Sequence, residues 1–564
     1  MLKYFFICIM KKSISFIIIC FFFFISACTS VQEQHRYIDY SVMSSILYQI
    51  EYAEKLLNKG EITEALLYSR ILELKTSGID EVAKLKFKST EKAEAAFNNS
   101  IEEKDWEKAL RFFRSLTAAG NQPKGWSEER IFKSRKAAWE TKGHIPLLNM
   151  EEKKTKLLGK NESQNIAQMI KGTVTVWVDK GTRIEKGYGF ADIAIGSGFF
   201  IDKRGYFITN YHVIQSEVDP EYNGYSKLYI KSPYDSNIKV SAKVIGWDPL
   251  FDLALVKTEI TPDTIFGLGS STNLEVGSKI FAIGSPAGLD KTLTSGIVSA
   301  KYRRLFSMVD VMQIDAAINH GNSGGPIVDE NGLVQGVAFA GLERNEGLNF
   351  AIPVELLKLI LPELYLGGEV KHSWLGAYGK TQKQDTKPAG VEVSYILPNG
   401  PLSVLGIKEG SIITEFNGMP VTSIEEIQTQ LLTVAPDTIV MLKISGEDGT
   451  NQAEYPVLCK ERAKMPGAEV FKNDSDWRAM LPIFGFYLAP AGKRHSFRVI
   501  DVIPGSFADE AGFSTNDYIE LNGKKLDRDT DEIVHMRIYA KKVKTGYIDS
   551  FMVFSGRLDN PFFF

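Results

Sequence analysis

Gly321-Asn322-Ser323-Gly324-Gly325-Pro326 is the stretch on which the reading of this chain turns. A serine hydroxyl is a poor nucleophile near neutral pH and needs an adjacent base to take its proton. Glycines on both sides of Ser323 let the backbone turn sharply and aim N–H groups at an oxyanion; the expected donors are those of Gly321 and Ser323. Two other stretches complete the chemistry. Thr209-Asn210-Tyr211-His212-Val213-Ile214 offers an imidazole as general base. Asp252-Leu253-Ala254-Leu255-Val256 offers a carboxylate to fix its tautomer and stabilise its charged form. The order His212…Asp252…Ser323 is one of the known solutions to this geometry. Around these residues, short apolar runs at 173–178, 198–201, 206–209, 239–245 and 253–257 are bounded by Gly, Asp, Pro or Asn. Short strands without intervening helical patterns predict a β-barrel or sandwich.

The neighbouring sequence carries a resemblance. Gly196-Ser197-Gly198-Phe199-Phe200-Ile201-Asp202 and Gly205-Tyr206-Phe207-Ile208-Thr209-Asn210 are similar to the first barrel hairpin of the HtrA/Deg family of trypsin-like serine proteases. Ala282-Ile283-Gly284-Ser285-Pro286, Thr294-Ser295-Gly296-Ile297-Val298-Ser299, Gln313-Ile314-Asp315-Ala316-Ala317-Ile318-Asn319 and Leu348-Asn349-Phe350-Ala351-Ile352-Pro353 match further segments of that family. The resemblance implies His212 as base, Asp252 as its orienting acid and Ser323 as nucleophile. Asp248, in Trp247-Asp248-Pro249, is the alternative acid, but the family places the acid at the start of the Asp-Leu-Ala-Leu run. His320 stands where the family more often has proline and reads as an exposed loop residue at the mouth of the site. Asn322 stands where digestive relatives carry an aspartate that pairs with a new N-terminus, so activation by clipping is not expected. Ala317, not a carboxylate, lies six residues before Ser323. With Ile318, Val337 and Ala338 it suggests a small apolar pocket and cleavage after Val, Ala or Ile.

The last third looks like two PDZ modules. Trp374-Leu375-Gly376-Ala377 followed by Gly410-Ser411-Ile412-Ile413-Thr414-Glu415-Phe416-Asn417-Gly418 resembles an HtrA-type PDZ domain. Its loop, Leu375, Gly376 and Ala377, would bind a C-terminal carboxylate, a peptide would add as a strand, and 424–432 would be the flanking helix. A second copy is read from Ile483-Phe484-Gly485-Phe486, with Phe484, Gly485 and Phe486 as its loop, and Asp517-Tyr518-Ile519-Glu520-Leu521-Asn522-Gly523. Pro561-Phe562-Phe563-Phe564 reads as a plainly packed apolar end, with occupation of a neighbouring PDZ groove as the other reading. Cys459 reads as a small core residue.

The N-terminal side is different in kind. Lys11-Lys12, an apolar run over 16–25 and Ile25-Ser26-Ala27-Cys28 describe an export signal ending in a lipobox-like site, with Cys28 lipidated and Met10 the more usual start. Ser13 to Ala27 is short of the ~20 residues that span a bilayer. Residues 36–142 are rich in Ala, Leu, Glu and Lys and read as helical. Gly60-Glu61-Ile62-Thr63-Glu64-Ala65-Leu66 lines up with Lys104-Asp105-Trp106-Glu107-Lys108-Ala109-Leu110, which resembles tetratricopeptide-like hairpins. Such a region is either a partner-binding module or a spacer.

With 564 residues, about four domains are expected. The formal net charge of −3 gives no footprint for a nucleic-acid partner. Three of the four cysteines, Cys8, Cys20 and Cys28, lie at the start and Cys459 stands alone, so neither a disulfide framework nor a zinc site is expected. No P-loop motif is present, and no cofactor or metal is expected. The expected architecture is multidomain: a signal at 1–27, an all-α, TPR-like region at 28–142, a linker at 143–162, and a trypsin-like double β-barrel at 163–366. An α+β PDZ domain at 367–462, a linker at 463–480 and a second PDZ-like domain at 481–564 follow. The expected activity is ATP-independent endoproteolysis of unfolded or mislocalised proteins in the bacterial envelope, by a lipid-anchored homotrimer. A silent PDZ scaffold or chaperone, and a peptide-activated regulatory protease, are the other readings.

Overall fold

The computed structural model describes residues 40–76, 78–141, 169–222, 226–233, 235, 237–285, 292–304, 310–319, 321–341, 348–446, 449–474, 476–526, 533–543 and 548–564. The export signal with Cys28, the linker at 143–162 and His320 lie outside the described residues.

Helices Tyr40–Lys59, Ile62–Lys75, Asp80–Glu102, Trp106–Ala118 and Glu128–Thr141 form the first region. The two similar stretches of sequence fall at helix starts. Gly60, at φ +87°, precedes one of them; Lys104, at φ +58°, and Asp105 precede the other. The Asp105 carboxylate accepts from the Lys108 N–H and caps its helix, a contribution of about 1 kcal/mol. Ala65, Leu66, Ala109 and Leu110 then turn inward and are buried.

Strands Thr173–Glu185, Tyr188–Phe200, Tyr206–Thr209, Lys227–Lys231, Lys239–Asp248 and Leu253–Thr258 make one sheet, closed by pairing of the last two. Strands Lys279–Gly284, Thr292–Arg304, Asp310–Ile314, Pro326–Val328, Val334–Gly341 and Asn349–Pro353 make a second closed barrel. Helix Val354–Leu366 packs Leu357, Leu361 and Leu364 into the core where the barrels meet, with Phe199, Leu255 and Ile283. The first hairpin is longer than the runs expected at 173–178 and 198–201. Lys186 and Gly187, both at positive φ, join its strands in a two-residue turn. Its far end exposes Ile184, Tyr188 and Phe190, so no alternation of buried positions marks it in the sequence.

Each C-terminal unit has an antiparallel sheet at its centre, six-stranded in the first, where the short strand Met419–Pro420 pairs with Ile412–Phe416, and five-stranded in the second. The first runs in the order Ala377–Gln384, Lys387–Ile396, Ile412–Phe416, Ile439–Ser445, Ala453–Leu458, with helix Ile424–Leu432 beside it. The second is the meander Phe486–Pro490, Ser496–Val502, Tyr518–Leu526, Ile533–Lys542, Ile548–Arg557. Residues 463–480, expected as a linker, instead contribute helices Pro466–Asn473 and Asp476–Phe484. Val470, Ala479, Met480 and Ile483 are buried in the core of the second unit. Their apolar spacing is that of helices too short to announce themselves, interrupted by Asn473-Asp474-Ser475-Asp476.

The helical region is docked rather than splayed. Phe112, Phe113 and Leu116 share one core with Ile439, Leu442 and Val457 of the first C-terminal unit. The Ile439 N–H donates to Ser115 Oγ at 3.0 Å, and Arg114 Nη1 donates to the Thr433 carbonyl at 2.6 Å. On another side Arg135 bridges Glu107 (2.7 Å) and Glu363 of the barrel-closing helix (3.0 Å). No described helix is long and apolar enough to cross a membrane.

Candidate active site

Asn210 leaves the strand Tyr206–Thr209 in an extended conformation and opens the helix Tyr211–Val218. His212 therefore sits in a first helical turn, with its side chain 47% exposed. Asp252 occupies the turn between the last two strands of the first sheet and holds φ at +53°, an uncommon conformation for a residue with a Cβ. Three hydrogen bonds hold it there. Asp252 Oδ1 accepts from the His212 N–H at 2.8 Å, and Oδ2 lies 2.7 Å from His212 Nδ1. Asn210 Nδ2 donates to the Asp252 carbonyl at 2.8 Å. Backbone strain retained by such over-determination is a mark of functional sites.

The protein packed around the imidazole works against its charged form, although one edge is open to solvent. The charge and hydrogen bond of Asp252 outweigh that penalty, so the pKa of His212 is raised above its usual 6.5. Asp248, the alternative acid, has a different task. It is wholly buried, accepts from the Leu250 and Phe251 N–H groups, and lies 2.8 Å from His372 Nε2.

The second barrel brings Ser323 on the turn before Pro326–Val328. Its hydroxyl donates to the Phe339 carbonyl at 3.4 Å. Gly321 holds φ at +101°, a region that favours glycine. The amide nitrogens of Gly321 and Ser323 make no hydrogen bond among the described residues. Ser197 is the residue that sequence reasoning missed. It is fully buried, and its hydroxyl donates to the Gly321 carbonyl at 2.6 Å and accepts from the Ser285 N–H at 2.9 Å. Its own N–H donates to the Ser323 carbonyl at 2.7 Å, and its carbonyl accepts from Thr209 Oγ1 at 2.7 Å. One serine of the first barrel thus fixes the Gly321–Ser323 loop of the second. The signal was present as Gly196-Ser197-Gly198: a Cβ at position 196 would stand 2.6 Å from Val213 and 3.1 Å from the Ser323 carbonyl.

The pocket expectation is corrected in part. Ala317 is exposed, and Ile318 is half-buried against a cluster containing Ile314, Ala316 and Ala338. Val337, next to Ala338 on one strand, faces the opposite side and joins Ile283, Val328 and Ile352 in the inter-barrel core. Val337 therefore does not line a pocket with the other three.

In the first C-terminal unit, Leu375 and Ala377 are buried on either side of Gly376, at φ +69°, and helix Ile424–Leu432 stands beside the loop. In the second, Phe484 and Phe486 are buried around Gly485, at φ +89°. Among the described residues, however, no helix lies between Tyr518–Leu526 and Ile533–Lys542, where the first unit carries its flanking helix. Among the described residues, then, no helical wall faces the second loop as Ile424–Leu432 faces the first.

Comparison with known proteins agrees with this layout. A trypsin-like peptidase domain model matches residues 196–337 and a PDZ domain model matches residues 365–445. A TP0546 family PDZ domain model matches residues 467–558, and a domain of unknown function (DUF8517) matches residues 44–138. A probable periplasmic serine endoprotease, DegP-like, of Bartonella henselae is 31% identical over 364 residues, which are 62% of this chain and 70% of that protein. Its counterpart in Marinomonas sp. is 33% identical over 349 residues, 59% of this chain and 72% of that protein. The crystal structure of the serine endoprotease from Yersinia pestis aligns with 54% of this chain and all of that one, at 27% identity and a TM-score of 0.41.

Proposed function

The chain belongs to the HtrA/Deg family of serine endopeptidases, with a trypsin-like double barrel and two PDZ domains, and from that premise we propose how it works and on what. Ser323 attacks the scissile carbonyl and His212 takes its proton. Asp252 holds the imidazole in the right tautomer and stabilises its charged form. The N–H groups of Gly321 and Ser323 receive the oxyanion. His212 then returns the proton to the leaving amine, and water releases the acyl group by the same route in reverse. The observation that carries this reading is the double hold of Asp252 on His212, at 2.7 and 2.8 Å. The substrates are unfolded or mislocalised proteins outside the cytoplasm, as the periplasmic naming of the relatives suggests. The first PDZ domain takes apolar peptide ends through Leu375, Gly376 and Ala377. Acyl chains on Cys28 anchor the protein, and it works as a homotrimer.

Degradation of unfolded casein by the full chain and by Ser323→Ala tests the reaction. Cleavage by the parent alone is expected, with the variant reduced to background. Equal cleavage by both would sink the assignment of the nucleophile. A second reading, a regulatory protease switched on by a bound peptide, draws on one observation: the Ser323 hydroxyl bonds to the Phe339 carbonyl. In that case casein would be cut only after addition of an apolar peptide.

A further inference from the structure

We propose that the chain's own segment 560–564 is a tethered occupant of the first PDZ groove, which an incoming peptide must displace. The proposal rests on the peptide-binding reading of that groove and deepens it. Strand Ala377–Gln384 is the edge of its sheet, paired on one side with Lys387–Ile396. Its other side is taken by the Phe-rich segment. The Ala377 N–H donates to the Phe564 carbonyl at 3.1 Å, and the Phe564 N–H donates to the Ala377 carbonyl at 2.9 Å. The Gly379 N–H donates to the Phe562 carbonyl at 3.1 Å, and Tyr378 pairs with Phe563 in an antiparallel bridge.

The flanking helix closes the other side. Gln428, itself buried, donates through Nε2 to the carbonyls of Pro561 at 2.7 Å and Phe563 at 2.8 Å. An extended segment held between a sheet edge and a helix is strand addition, the mode by which such grooves take peptides. The side chains alternate as a strand's must. Phe564, 1% exposed, enters the first PDZ core with Leu375, Ile427 and Leu431. Phe563 turns the other way into the second domain's core, its ring 5.4 Å from that of Tyr378.

The backbone positions that would bind a peptide are therefore filled by a segment that follows the last strand, Ile548–Arg557, by a few residues. A tether that short gives an effective concentration of about millimolar. A free peptide of equal intrinsic affinity is outcompeted unless it is abundant or better fitting. The groove then answers to apolar segments with an aromatic residue at the Phe564 position.

The test is fluorescence anisotropy of a fluorescein-labelled peptide of sequence 558–564 with the full chain. Phe564→Asp removes the ring from the first core and leaves Phe563 in the second. It should bind the probe at least about tenfold tighter than the parent, the tether having been removed as competitor. Phe564→Ala should shift binding in the same direction by less, which guards against a folding defect in the aspartate variant. Adding Gln428→Leu to either should weaken binding again. Equal affinities for the parent and both tail variants, with Gln428→Leu still weakening them, would overturn the tethered occupant and leave the groove reading standing. Absence of binding in every variant would overturn the groove reading and this inference with it.

Discussion

Asp252 grips His212 at both a backbone and a side-chain nitrogen, and the pair sets a pH dependence. The base works only when neutral. Because its pKa is raised above 6.5, activity should rise with pH through an inflection above that value and be lost as the pH falls through it. Asp252→Asn should lower the inflection and reduce kcat by about 10⁴, since both the charge and the tautomer control go. The check is kcat/KM on an unfolded substrate between pH 5 and pH 9; a flat profile there would contradict it. At this scale His212, Asp252 and Ser323 were singled out because each stands in a run with its own chemical logic. Ser197 was not. Its partners, Gly321, Ser285, Ser323 and Thr209, come from distant positions, and nothing local to a buried serine announces them.

Among the elements, the helix Trp106–Ala118 meets the barrel-closing helix through an unbalanced cluster. Arg135 serves both Glu107 and Glu363. Burial, together with the charge of Glu363, pushes the Glu107 carboxyl up to about 7 against the pull of Arg135. A carboxyl raised in the folded state favours folding only while protonated. Its contribution is complete below the unfolded value of 4.5 and is lost as the pH rises through about 7. Glu107→Gln should therefore flatten the fall in thermal stability across that interval and leave the variant the more stable at pH 8. Unfolding midpoints at pH 5.5 and pH 8 decide it, and a variant with the parent's slope would refute it. The helices Pro466–Asn473 and Asp476–Phe484 show what sequence reading misses at this scale. Each is only eight or nine residues long, and Pro482 inside the second breaks the pattern by which a helix is read from sequence.

At the scale of the whole molecule, the helical region and the two PDZ domains share cores among the described residues rather than stand apart. The helical region and the first PDZ domain bury one cluster together, and Trp374, Tyr378 and Tyr395 of the first PDZ domain enter the cluster of the second. Between protease and PDZ domain, His372 pairs with the buried Asp248, and its carbonyl accepts from the Arg462 N–H at 2.7 Å. His372→Ala would leave that carboxylate with two backbone donors and no ring partner, which should cost about 3 kcal/mol. A drop of several degrees in the unfolding midpoint and faster proteolytic nicking near 367–372 are expected. An unchanged midpoint would show that the joint is held elsewhere.

The division between what each level decided follows from the range of the interactions. From the sequence alone came the candidate triad His212, Asp252 and Ser323 and the helical character of 40–141, read from local spacing and composition, while the double barrel and the first PDZ domain came from short motifs that resemble a known family. The same resemblance favoured Asp252 over Asp248 as the acid, through the Asp-Leu-Ala-Leu run. Only the tertiary structure decided that Asp248 locks a domain joint, that Val337 faces a core instead of a pocket, and that no helix among the described residues faces the second PDZ loop. It alone placed Phe564 in a groove some 190 residues earlier in the chain. An apolar residue's burial is written in its side chain, but which surface buries it depends on contacts between segments far apart in sequence, and no local pattern encodes those.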